Sequence, residues 1–137
     1  YRENQAAYLR QLDQLQAELT ERLRTVTDRR IIVHHPAWPY FARRFGFRIA
    51  DEIVRQAGAE PSANHLHTVI SRIQKDRIRV IVSEPQLNQK MPEVLARETG
   101  ARIVVLTPLP GGLPGTETYL DMLRYDVLQL AKALEAS

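Results

Sequence analysis

Four histidines are the side chains of this chain best suited to hold a metal ion. Imidazole is the commonest metal ligand, and its proton equilibrium lies within the physiological pH range. His34 and His35 follow the β-branched run Ile31-Ile32-Val33 and precede Pro36. They therefore stand at the carboxyl end of an expected strand, which is where open α/β sheets bind their ligands. A neutral imidazole there can ligate zinc at about 2.0–2.1 Å. The competing reading is a histidine hydrogen-bonded within its own loop. Successive strand side chains point to opposite faces, so both histidines serve one metal only if the loop bends. His35 is the candidate ligand and His34 its neighbouring alternative.

The other two histidines are less promising. His65 and His67 lie two apart on an expected helix and do not share a face. His65 is also close to the helix N-terminus, where the partial positive charge disfavours imidazolium. Both are read as surface histidines near a loop. Glu84 follows an expected strand and precedes Pro85. It is a candidate metal ligand, a carboxylate orienting His35, or a loop acid bonded to nearby amides; the last two are preferred. Thr107 ends the last expected strand, where an acid would complete a nitrogen and oxygen site. Its neutral hydroxyl is a poor ligand for zinc or manganese.

Enzyme chemistry is not expected. Ser62 and Ser83 lack the glycine context of a nucleophile elbow. No phosphate-binding glycine loop follows the first strand. The glycines at 111, 112 and 115 come after the last strand among prolines and read as a loop spacer. No general base stands beside a preformed ligand set, which weakens a metal-dependent enzyme.

The elements that position these residues follow from the hydrophobic pattern. Tyr8, Leu12, Leu15, Leu19, Leu23 and Val26 recur at spacings of three and four, predicting one long helix over residues 1–27. Strands are expected over 31–34, 47–54, 79–83 and 102–106, the second weaker and at an edge. Helices are expected over 36–44, ended by Gly46, over 63–75 capped by Ser62, and over 88–99 capped by Asn88. A last helix opens at Thr118, where Asp121 completes a capping-box pattern, and reaches about residue 136. Four strands alternating with four helices predict an α/β fold, a parallel sheet of order 2-1-3-4 with helices on both faces. That order puts a topological switch point between the first and third strands, with the His34-His35 and Glu84 loops side by side.

The bulk numbers agree with one soluble domain. The chain has 137 residues, 44% hydrophobic and 26% charged, enough for a real core. Its 19 Lys and Arg are interspersed with 16 Asp and Glu, with no basic block of the kind that binds nucleic acid. The absence of cysteine excludes disulfides and thiolate metal sites. No apolar run approaches the roughly 20 residues that span a bilayer. The chain opens inside a helical pattern without a start methionine, as expected of a processed product or an excised piece.

Several segments together resemble the zinc and manganese solute-binding proteins of bacterial ABC transporters. They are His35-Pro36-Ala37-Trp38-Pro39-Tyr40-Phe41 with Phe45-Gly46, Glu60-Pro61-Ser62 leading to His65-Leu66, Ser83-Glu84-Pro85-Gln86, Ala96-Arg97-Glu98-Thr99-Gly100, and Thr118-Tyr119-Leu120. The resemblance implies two α/β lobes joined by one long rigid helix, with the metal held between them. Residues 1–28 would be the linking helix and 29–137 the C-terminal lobe. It further implies His35 as this lobe's ligand, with two histidines from an N-terminal lobe outside this chain. Glu84 and the wall residue Trp38 would support the site. Thr107 departs from the family, where many members carry an aspartate. The implied function is capture of a metal outside the cytoplasmic membrane, in the periplasm or at the cell surface, and delivery to the transporter permease. Histidine at position 35 favours zinc over manganese. The alternative is a stand-alone doubly wound interaction or signalling module that dimerises through its first helix along Leu15, Leu19 and Leu23.

Overall fold

The computed structural model describes residues 2–56 and 58–135. The elements run α1 (Arg2–Leu23), β1 (Arg30–Val33), α2 (Pro39–Phe45), β2 (Arg48–Glu52), α3 (Ala63–Asp76), β3 (Val80–Ser83), α4 (Lys90–Thr99), β4 (Arg102–Val105) and α5 (Tyr119–Glu135). The four strands form one parallel sheet in the order β2-β1-β3-β4. The α/β architecture and strand order are those expected, with β2 at an edge. The expected helix ends at residues 1 and 136 lie outside the described residues.

The sheet is covered on both sides because its central strands are apolar on both faces. Ile31, Val33, Val80 and Val82 pack with α1, α2 and α5 in one core. Ile32 and Ile81 pack with α3 and α4 in the other. A bulge between Ile31 and Ile32 shifts the β1–β2 register. That irregularity is why the edge strand shows no clean alternation in sequence.

Helix α1 joins the first core from Leu12 onward, where Leu12 is partly buried against it. Leu15, Leu19 and Leu23 are buried, Leu19 to 1% exposure, whereas Leu9 nearer the start is 57% exposed. The first turns, through Leu9, therefore have little cover. The leucine stripe that could have served dimerisation is spent inside the chain's own core, against the sheet and α5. Arg22 clamps Glu135 of α5 through two hydrogen bonds. Arg29 closes the end of α1 by donating to the carbonyl of Leu23, the last residue of the helix, and to that of Val26 in the turn that follows. It also donates to Phe45 O at the end of α2. Gly46 makes this approach possible: its φ is +78°, and a Cβ there would sit 2.9 Å from the Arg29 guanidinium.

Two helices start later than their sequences suggest, and proline explains both. Residues 36–38 do not join α2. The ring of Pro39 clashes with the carbonyl of His35 in any helix that includes both. That carbonyl instead accepts from Ala37 N at 2.8 Å in a tight turn. Pro39 thus opens α2, where its missing N–H is not needed. Pro92 has no N–H to bond Asn88, so the first bond of α4 runs from Glu93 N to Gln89 O. Asn88 still receives Lys90 N at 2.8 Å, one step outside the helix.

Candidate metal site

Strand register brings the candidate residues together. Val33 pairs with Val82, and Ser83 pairs with Val105. His34 N continues the ladder to Val82 O, and Leu106 N continues it to Ser83 O. His35, Glu84 and Thr107 therefore follow three adjacent strands at one edge of the sheet, the carboxyl edge.

The two histidines part there. His34 turns inward, buried, with Nδ1 3.2 Å from Ser83 Oγ. Burial lowers its pKa from 6.5, outweighing the opposing charge of Glu84. It is a neutral structural residue. His35 turns to the surface, with 31% of its side chain exposed. Its Nδ1 is 3.2 Å from Glu84 Oε2. Among the described residues nothing bonds Nε2.

Glu84 is the anchor of this arrangement. It is 0% exposed, and a carboxyl so placed has to be hydrogen-bonded. Oε2 accepts from Trp38 Nε1 at 3.2 Å as well as facing His35. Oε1 accepts from Gln86 Nε2 at 2.6 Å. Gln89 holds the backbone by donating to Glu84 O at 2.9 Å. Both carboxylate oxygens are thus occupied. Neither points to solvent as a free ligand would. The geometry makes Glu84 a carboxylate that fixes the His35 ring with Nδ1–H inward and the Nε2 lone pair outward.

Trp38 fastens the carboxylate to the core. It is buried and meets Phe41 edge to face, with ring centroids 5.4 Å apart. Phe41 in turn stacks on Phe47 at 5.7 Å. Trp38, Phe41, Phe45 and Phe47 after His35 are therefore packing, whereas Tyr40 is exposed, and Trp38 also supplies the indole N–H that holds Glu84.

Thr107 does not extend the site. It is buried, and its hydroxyl donates to Leu109 O at 2.8 Å and accepts from Leu109 N. Gly112 lies directly on it, leaving no room for a Cβ. The glycine run read as a spacer thus includes one glycine required by packing. His65 and His67 are apart from the edge: His65 Nε2 meets Glu52 O at 2.6 Å, and His67 is exposed. Among the described residues no three His, Asp or Glu side chains group as a metal cage.

One residue escaped the sequence reading. Asp126 lies on α5 and is 0% exposed. Its Oδ1 accepts from Thr107 N at 3.1 Å, while the buried Oδ2 has no partner. Burial raises its pKa from 3.8 to about 7, against the pull of the Thr107 N–H. The signal was available: Asp126 interrupts the apolar stripe Met122, Leu123, Val127 and Leu130 at helical spacing.

Comparison with known proteins gives this edge a context. The high-affinity zinc uptake system protein ZnuA of Brucella abortus (strain 2308) is 33% identical over 125 residues, covering 90% of this chain and 37% of its own length. The solved structure of a ZnuA deletion mutant with zinc bound superposes with a TM-score of 0.82 at 31% identity, covering 100% of this chain and 50% of that one. The solute-binding protein FpvC of Pseudomonas aeruginosa, solved with Mn2+, gives a TM-score of 0.80 at 25% identity, over 97% of this chain and 50% of that one. The chain thus spans about half the length of the solved structures it matches. Its residues 1–133 match the profile of the family described as zinc-uptake complex component A, periplasmic. The chain belongs to that family, the ZnuA-type solute-binding proteins, which are not enzymes.

Proposed function

We propose that this chain is the linking helix and C-terminal lobe of a two-lobed zinc-binding protein, and that His35 is its direct ligand. The carrying observation is the aimed imidazole. His35 presents Nε2 at the carboxyl edge of the sheet, while the buried Glu84 faces Nδ1 at 3.2 Å. A ligating histidine is oriented in this way by a carboxylate at its other ring nitrogen. A single imidazole does not hold zinc tightly, since closed sites take four ligands and open ones three. The remaining donors would come from an N-terminal lobe facing this edge. The exposed start of α1, where Leu9 is 57% exposed, is consistent with a helix that continues toward such a lobe. The related zinc uptake protein and the zinc-bound neighbour support the choice of metal, and imidazole favours zinc over manganese. The whole protein would collect zinc in the periplasm or at the cell surface and pass it to an ABC transporter permease.

Calorimetry on the full gene product tests this reading. Zinc should bind one to one, and His35→Ala should weaken binding at least tenfold. Unchanged affinity in that variant would remove His35 from the site.

A further inference from the structure

The amino edge of the sheet, opposite the metal edge, carries a basic pocket. It has a volume of about 460 Å³ and opens where the ends of α3 and α4 meet the starts of β3 and β4. Arg77, Arg79 and Arg102 line it, and no acidic residue does. Register sets two of them side by side: Arg102 pairs with Val80, and its N–H donates to Arg79 O at 2.8 Å. All three side chains can be reached from solvent. Arg77 and Arg102 are exposed, and Arg79 has 30% of its side chain exposed. The floor is formed by the buried Ile73, Ile78 and Ala101. Apolar walls of this kind focus the field of like charges.

The chain itself neutralises these charges only in part. Among the described residues Arg77 and Arg102 form no ion pair and no side-chain hydrogen bond. Arg79 comes no closer than 3.9 Å to Asp28, a carboxylate already held by Arg30 at 2.9 and 3.0 Å. The carboxyl ends of α3 and α4 carry about half a negative charge each, which leaves the three guanidiniums in excess.

Arg77 marks the pocket independently. Helices α2, α3 and α4 all close on a residue in the left-handed conformation. Gly46 and Gly100 serve α2 and α4, but Arg77 serves α3, at φ +54°. That conformation favours glycine and disfavours a side chain. Folding alone would therefore select glycine at position 77, and the residue found there instead adds a guanidinium to the pocket.

We infer that this pocket binds a phosphate group. Guanidinium forks match phosphate oxygens in paired, charge-assisted hydrogen bonds. One fork satisfies a carboxylate, whereas three from separate elements suit a group with several charged oxygens. The volume exceeds that of a phosphate and leaves room for the molecule that bears it. The metal edge takes no part, so the pocket stands apart from the zinc reading.

Titration of the full gene product with inorganic phosphate tests this, with the protein freed of zinc and the 31P resonance followed at low salt. Binding should saturate, and acetate at equal ionic strength should not displace the phosphate. Arg102→Ala should weaken binding about tenfold. Arg77→Gly should weaken it by a similar factor while melting no lower than the parent, because glycine suits the left-handed cap. Lost binding without lost stability separates a ligand-binding role from a structural one. Arg43→Ala removes an exposed charge outside the pocket; that variant and His35→Ala should bind phosphate as the parent does. Vesicles identify the source of the phosphate. If phosphatidylglycerol vesicles sediment the parent but neither pocket variant, the group is a lipid headgroup; phosphate binding without sedimentation assigns a soluble phosphate compound. Absence of saturable phosphate binding would overturn the proposal. So would unchanged binding in Arg77→Gly or Arg102→Ala, or an equal loss in Arg43→Ala.

Discussion

The side chains of His35 and Glu84 meet at 3.2 Å across two adjacent strands, Nδ1 against Oε2. The contact is set by the β1–β3 register, which pairs Val33 with Val82 and so carries the two following residues to the same edge. It determines which imidazole nitrogen is available. Long-range 1H–15N correlation spectra should find neutral His35 protonated on Nδ1. Glu84→Ala should lose that preference, and in the full gene product it should weaken zinc binding by about 10- to 100-fold. A His35 protonated on Nε2 in the unaltered chain would contradict the assignment.

Asp126 makes stability depend on pH in an uncommon direction. Its carboxyl has a pKa of about 7 when folded and 3.8 as the ordinary value, because burial opposes the charge. The folded state therefore holds the proton more tightly than the unfolded one. Its contribution is fully present below about pH 4 and is lost as pH rises to about 7. The loss is on the order of 4 kcal/mol. Asp126→Asn keeps an acceptor for Thr107 N and cannot ionise. Urea titrations of the two proteins should therefore show Asp126→Asn gaining on the parent from pH 4 to 8. A constant difference across that range would mean the carboxyl is not held this way.

Helix α1 should behave as two segments. Leu19→Ala empties a position buried to 1% exposure and should cost about 2–5 kcal/mol by chemical denaturation. Leu9→Ala, at a position 57% exposed, should change stability by less than about 0.5 kcal/mol. Equal losses at both positions would show that the first turns are also packed within this chain.

The sheet was legible in sequence because the apolar runs of β1 and β3 are short, β-branched and bounded by turn residues. Strand order followed from alternation with helices. The late starts of α2 and α4 were written in Pro39 and Pro92, whose effect on the carbonyls of residues 35 and 88 is local steric chemistry. The site was legible in part. His35 and Glu84 stand at strand ends, and register brings them together. What could not be read was which polar groups close around them. That Gln86 and Trp38 occupy the Glu84 carboxylate depends on rotamers and on packing between distant segments. The burial of Thr107 under Gly112 is likewise a tertiary contact. Asp126 is not found by a strand-end pattern, because this acid reaches the end of β4 from α5.

The role proposed for His35 is to give one ligand to a zinc site that other groups complete. Zinc titration of the 137-residue chain, followed by calorimetry and by the imidazole resonances, tests it most directly. Weak binding is expected that perturbs His35, leaves His34, His65 and His67 unmoved, and disappears in His35→Ala. Tight one-to-one binding by this chain, or binding that survives His35→Ala, would contradict it.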